Sequence, residues 1–187
     1  QTTLNALFRW GFRNGQVHFE KVDFEEIKII TPGKRDTFTL DEWKQIYLFM
    51  RNKWIREDCS SKELEQRKFI REFILIKANT FMRFGELRQL RWGDVKIIPK
   101  SHRRGDYFVE VMVRKETAKN RKERKVIARG GDYFERLKRF SNHTKNDNLV
   151  FVDNDTGEAI HKNVYYKLWK DLIGKVGINT ENRKLSY

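Results

Sequence analysis

The chain has 187 residues, enough for one domain and part of another, and its 39% hydrophobic and 13% aromatic content excludes a disordered or low-complexity chain. Forty Lys and Arg against 26 Asp and Glu leave a net charge of +14, which points to a polyanionic partner, nucleic acid being the commonest. The only cysteine, Cys59, excludes an intrachain disulfide and fits a reducing compartment, and no signal-peptide pattern or membrane-length apolar run is visible.

In chain order, Leu4, Leu7, Phe8 and Phe12 share one face of a predicted helix, with Gly15 as its stop. Residues 16–37 read as a connection in which Val22, Phe24, Ile27, Ile29 and Ile30 are apolar and residues 31–36 form a basic turn, so a domain boundary falls here. Thr39-Leu40-Asp41-Glu42 is a capping box opening a helix whose stripe is Leu40, Trp43, Ile46, Tyr47, Met50 and Trp54. A second box, Ser60-Ser61-Lys62-Glu63, opens a longer helix to about Thr80, with Leu64, Phe69, Phe73, Ile74 and Lys77 along its stripe.

Past Thr80, Leu87 and Leu90 are three apart, so a short helix can bury both, and Arg83 falls at its start. Backbone N–H groups point outward there, and a guanidinium beside them makes a phosphate cradle. The period then changes. Residues 107–113 and 125–128 read as two strands joined by a long polar turn, with Gly130 and Gly131 ending the second. A helix is expected over 132–140, an apolar stretch over 148–152, a turn over 153–157 and a helix over 161–176 that buries Val164, Leu168, Trp169, Leu172 and Ile173, with Gly177 after it. The 153–157 turn lacks the ligand spacing of a calcium loop, and the four histidines have no metal-ligand spacing. Residues 100–125 hold ten Lys or Arg against four Asp or Glu, and Lys115, Lys119, Arg121, Lys122 and Arg124 cluster in and beside the polar turn. A basic hairpin tip of this kind can meet DNA phosphates.

The string T-F-M-R-F-G-E-L-R-Q-L-R-W-G-D-V over residues 80–95 resembles the first-arginine box of the tyrosine recombinases, the phage integrase family, which reads T-G-x-R-x-x-E-L-x-x-L-x-W-x-D-[IV]. Thr80, Arg83, Glu86, Leu87, Leu90, Trp92, Asp94 and Val95 fit; Phe81 stands where the family has Gly, and a positive φ there would strain it. The hairpin resembles the family's K-x-x-K-x-R-x-[VI] pattern, which puts the catalytic lysine at Lys119, or at Lys115 if the register shifts.

The resemblance implies an α+β fold of the DNA breaking-rejoining type, mainly helical with a small antiparallel β-sheet. It implies the end of a core-binding domain and the start of a linker over 1–22, a linker over 23–36, and a catalytic domain over 37–187. The implied activity is site-specific recombination of double-stranded DNA through a 3′-phosphotyrosyl intermediate, in a phage or mobile-element integrase. Arg83 would hold the scissile phosphate, Lys119 would act as general acid, Glu86 would support the site, and Lys115, Arg121, Lys122 and Arg124 would bind DNA. No metal or other cofactor is required by that chemistry. Self-assembly into a tetramer on DNA and a cytoplasmic, nucleoid-associated location in a bacterial host are further implications. The family's next box, H-x-x-R, has no counterpart at His18, His102, His143 or His161, and residues 184–187 resemble the approach to it. The expectation is therefore a catalytic domain lacking its C-terminal part, with Tyr187 not the nucleophile. The alternative is a non-catalytic DNA-binding module or regulator that keeps the fold. A phosphate-handling enzyme of unrelated fold finds no glycine-rich loop or carboxylate cluster to support it.

Overall fold

The computed structural model describes residues 2–21, 36–98, 107–180 and 183. The chain divides into two compact units, residues 1–36 and 37–187. In the first, α1 (Thr2–Arg13) ends where Gly15 turns to φ +66°, and Phe8 packs on Phe19 with ring centroids 5.0 Å apart. The apolar residues expected to pack between 22 and 30 lie outside the described residues.

Two helix starts written in the sequence frame the second unit. The Thr39 hydroxyl accepts from the Glu42 N–H at 3.2 Å, and the Glu42 carboxylate accepts from the Thr39 N–H at 2.8 Å, closing a capping box on α2 (Leu40–Phe49). Ser60 caps α3 (Ser61–Thr80) by accepting from the Glu63 N–H at 3.2 Å. Glu63 does not close that box: its carboxylate is taken by Arg67, at 3.0 Å from Nε and 2.7 Å from Nη2. The α2 stripe is buried at Ile46, Met50 and Trp54 but not at Leu40, which is 88% exposed. Leu40 is the first residue of its helix, where no second turn flanks it. The helix continues into a π-helical turn (Met50–Trp54), and the Trp54 indole N–H donates to Asp171 at 3.0 Å.

α3 is buried around nearly its whole circumference between Phe69 and Ile76, with Arg71 alone not fully buried there, the pattern of a helix enclosed by its neighbours. Phe73 meets the rings of Phe151, Tyr165 and Phe84 at 4.9, 4.6 and 5.4 Å. The two charged residues buried with it are both paired. Arg67 reaches Glu57 at 2.9 Å and the Trp54 carbonyl at 2.8 Å, and Glu72 accepts from Arg136 at 2.9 Å.

The sheet is antiparallel in the order β1-β2-β3, with β1 Val95–Ile98, β2 Phe108–Val113 and β3 Arg124–Arg129. β2 and β3 are the two strands expected, and Val109, Val111 and Val113 alternate into the core. β1 adds a third strand, pairing Val95 with Val111 and Ile98 with Phe108. The residues between β1 and β2, from 99 to 106, lie outside those described. α5 (Gly131–Phe140) follows β3 directly, and α6 (Lys162–Val176) runs from a His161 cap to Gly177 at φ +77°. Tyr165, absent from the expected α6 stripe, is fully buried, whereas Tyr166 is exposed. The architecture is thus α+β, with helices outnumbering a small antiparallel sheet.

Candidate active site

The arginine box begins where α3 stops. Phe81 ends the helix in the left-handed region at φ +53°, its N–H bonded to the Lys77 carbonyl at 2.9 Å, and its side chain is 86% exposed. The positive φ at this position is therefore met by an aromatic residue instead of glycine. Thr80 is buried with its hydroxyl on the Ile76 carbonyl at 2.8 Å. Arg83 then stands at the N-cap of α4 (Phe84–Arg88), and Leu87 and Leu90 are buried as their spacing required, Leu90 just beyond the helix end.

The remaining box residues are each held by named partners. The Trp92 indole N–H donates to the His143 carbonyl at 2.8 Å. The Asp94 carboxylate accepts from the Arg91 N–H at 3.1 Å and pairs with Arg114 Nε at 3.1 Å. Arg114 Nη2 also reaches the Gln89 carbonyl at 2.9 Å, so the outgoing leg of the β2–β3 hairpin is fastened to the box.

Glu86 is the centre of the site. It is only 2% exposed, and each carboxylate oxygen accepts twice. Oε2 accepts from the Arg83 N–H at 2.9 Å and from Arg124 Nη2 at 2.7 Å. Oε1 accepts from Arg83 Nη1 at 3.2 Å and from Arg124 Nη1 at 3.0 Å. The Arg124 fork, followed by burial working in the opposite sense, sets the carboxyl pKa: the net result holds Glu86 at about 2 against an ordinary 4.5. The same ion pair raises Arg124 further above its usual range.

The Arg83 side chain is 58% exposed, and among the described residues its guanidinium has no partner besides Glu86. It can therefore present its remaining donors outward to an anion while Glu86 holds its backbone N–H and Nη1.

The hairpin turn over 114–123 is itself ordered. Thr117 and Ala118 N–H groups bond to the Arg114 carbonyl, both at 3.1 Å, Ala118 is buried, and Arg121 takes φ +53°. Lys115, Lys119, Arg121 and Lys122 stand exposed on this turn, and none makes an ion pair among the described residues. Of the sequence-predicted residues, the structure thus joins Arg83, Glu86 and Arg124 by direct bonds, with the lysines on a turn whose two legs are tied to the box. The Arg114 and Arg124 fastenings were not read from the sequence, because their partners lie 25 and 38 residues away.

Two histidines are structural. His143 Nε2 lies 3.0 Å from the Asn154 carbonyl, and His161 Nδ1 accepts from the Asn163 N–H at 3.3 Å. Among the described residues no group of three or more His, Cys, Asp or Glu comes together to hold a metal ion, and no helix is long and apolar enough to cross a membrane. His102 and residues 184–187 lie outside the described residues.

A sequence profile of the phage integrase family matches residues 36–185. The chain belongs to the phage integrase family. No curated protein and no solved structure matches it. Membership in the phage integrase family implies that the chain acts on DNA.

Proposed function

We propose that the chain is the catalytic part of a site-specific DNA recombinase that cleaves and rejoins double-stranded DNA through a 3′-phosphotyrosyl intermediate. The observation that carries it is the Arg83–Glu86–Arg124 bridge, which leaves an outward guanidinium and ties a lysine-bearing hairpin to it. In the proposed reaction a tyrosine oxygen attacks the scissile phosphorus, the bond to the 5′ oxygen breaks, and the strand ends as a 3′-phosphotyrosine. Arg83 stabilises charge on the non-bridging oxygens, and Lys119 gives a proton to the departing 5′ oxygen. The energy of the phosphodiester stays in the new ester, so rejoining is the same step reversed with a different 5′ hydroxyl. Lys115, Arg121 and Lys122 bind neighbouring phosphates. Residues 1–22 belong to a core-binding domain and linker, 23–36 to the linker and 37–187 to the catalytic domain; assembly is a tetramer on DNA, in the cytoplasm.

A direct test starts from double-stranded DNA sites recovered by binding selection from a random library. The intact gene product is incubated with such a site carrying a nick beside the scissile position, so that the cleaved end diffuses away and the covalent adduct accumulates. Wild type is expected to form the adduct. Lys119→Ala is expected to slow it by about 10²- to 10⁴-fold. Replacing the bridging 5′ oxygen by sulfur, which leaves as a thiolate without a proton, is expected to restore the Lys119→Ala rate. No adduct from a protein that binds its site would contradict cleavage and favour a binding module. A Lys119→Ala rate that sulfur does not restore would move the acid role elsewhere.

A further inference from the structure

We propose that Arg124 is a positioning residue of the cleavage site: through Glu86 it holds the Lys119-bearing hairpin in register with Arg83, and it does not contact DNA itself. A basic residue beside a DNA-facing turn reads from sequence as a phosphate contact. Its geometry points elsewhere. Both Nη atoms lie on the buried Glu86 carboxylate, at 3.0 and 2.7 Å, in the parallel fork that only arginine forms.

Two consequences follow from where the two partners sit. Arg124 is the first residue of β3, directly after the turn that carries Lys119, while Glu86 lies on the α4 turn that begins at Arg83. The bridge therefore sets the distance between the general acid and the phosphate-binding arginine, across 38 residues of sequence. Arg114 fastens the other leg, on Asp94 and the Gln89 carbonyl, but among the described residues no hydrogen bond or ion pair joins either of those partners to Arg83. The second consequence is electrostatic. Glu86 already accepts the Arg83 N–H and one Arg83 Nη1 bond. With Arg124 neutralising it, the rest of the Arg83 fork is left for phosphate. Without Arg124, a buried carboxylate has Arg83 as its one cation among the described residues, and pulls that fork inward.

Arg124 is tested alongside the cleavage reaction, on which its role rests. In the intact gene product, Arg124→Lys keeps the charge but loses the fork, and Arg124→Gln loses both. Four quantities are measured on the selected nicked DNA: affinity, its salt dependence, the adduct rate with oxygen at the 5′ bridge, and the rate with sulfur there. Expected for Arg124→Lys is an unchanged affinity and salt slope, an adduct rate lowered on the order of 100-fold with oxygen, and a large part of that loss restored with sulfur. A misplaced acid matters less to a leaving group that needs no proton, whereas general damage to the fold slows both substrates alike.

Equal slowing on both substrates would overturn the proposal, and so would an unchanged rate. A weakened affinity with a salt slope reduced by about one unit would also overturn it, since that marks a lost phosphate contact. Arg124→Gln, which also removes the charge that neutralises Glu86, is expected to lower the oxygen-substrate rate further than Arg124→Lys and to be restored less by sulfur, because the Arg83 fork is drawn inward as well; retention of the wild-type rate by either variant would refute the need for the fork. Wild type failing to form any adduct would overturn the cleavage reading and this role together, which separates that outcome from failure of the Arg124 arm alone.

Discussion

Glu86 holds four hydrogen bonds with almost no water contact, and its carboxyl is held at about 2 against an ordinary 4.5. A depressed carboxyl stabilises the fold wherever it is ionised in both states, so its contribution is full above pH 4.5 and is lost as the pH falls from there toward 2. Each pH unit in that interval removes at most about 1.4 kcal/mol. Urea unfolding of wild type against Glu86→Gln between pH 7 and 3 should therefore show a gap that narrows below pH 4.5; a gap independent of pH would contradict the bridge. Two positions upstream of Arg83 the strain runs the other way. Phe81 adopts φ +53° with its ring exposed, so its side chain contributes little packing against that cost. Phe81→Gly is expected to raise stability by up to about 1 kcal/mol, seen as a higher Tm, because glycine adopts this region freely. A lower Tm would show that the ring's place in the groove it lines with Trp43 and Trp169 outweighs the strain.

At the scale of elements, the local signals were legible and the distant pairings were not. The two helix starts at Thr39 and Ser60, the α3 core face and the hairpin all follow from residues within a few positions of one another. β1 was hidden because Val95 already belonged to the arginine box and the strand has only four residues, too few for alternation to show. Arg67 and Glu72 are buried against the rule for charged residues, because Glu57 and Arg136 reach them from outside the helix. Periodicity registers only a polar side chain there. In the candidate site the arginine box was readable as a string, but the Arg114 and Arg124 fastenings depend on how the hairpin folds back. The β3–α5 junction is similarly non-local. A Cβ on Gly131 would lie 2.6 Å from the Phe108 carbonyl oxygen and 2.8 Å from Tyr107 Cβ. Gly131→Ala should destabilise by about 1–3 kcal/mol, measured as a lower urea midpoint with unchanged m-value. An unchanged midpoint would mean that the α5 start can shift freely on the sheet.

At the scale of the whole molecule, a net charge of +14 and family membership over residues 36–185 draw the chain to DNA, but charge alone does not distinguish cleavage from binding. Arg83 separates the two. Its side chain is 58% exposed, Glu86 accepts from its backbone N–H and its Nη1, and its loss removes one cation from a chain with 40 Lys and Arg. The measurement that bears most directly on the proposed function compares Arg83→Ala with wild type on one nicked site, reading DNA affinity and covalent adduct in the same samples. An affinity within about tenfold of wild type, with adduct formation lowered by about 10²- to 10³-fold, is the expected result. Adduct formation that persists at the wild-type rate in Arg83→Ala would contradict it, and would leave Arg83 as a phosphate anchor outside the chemistry.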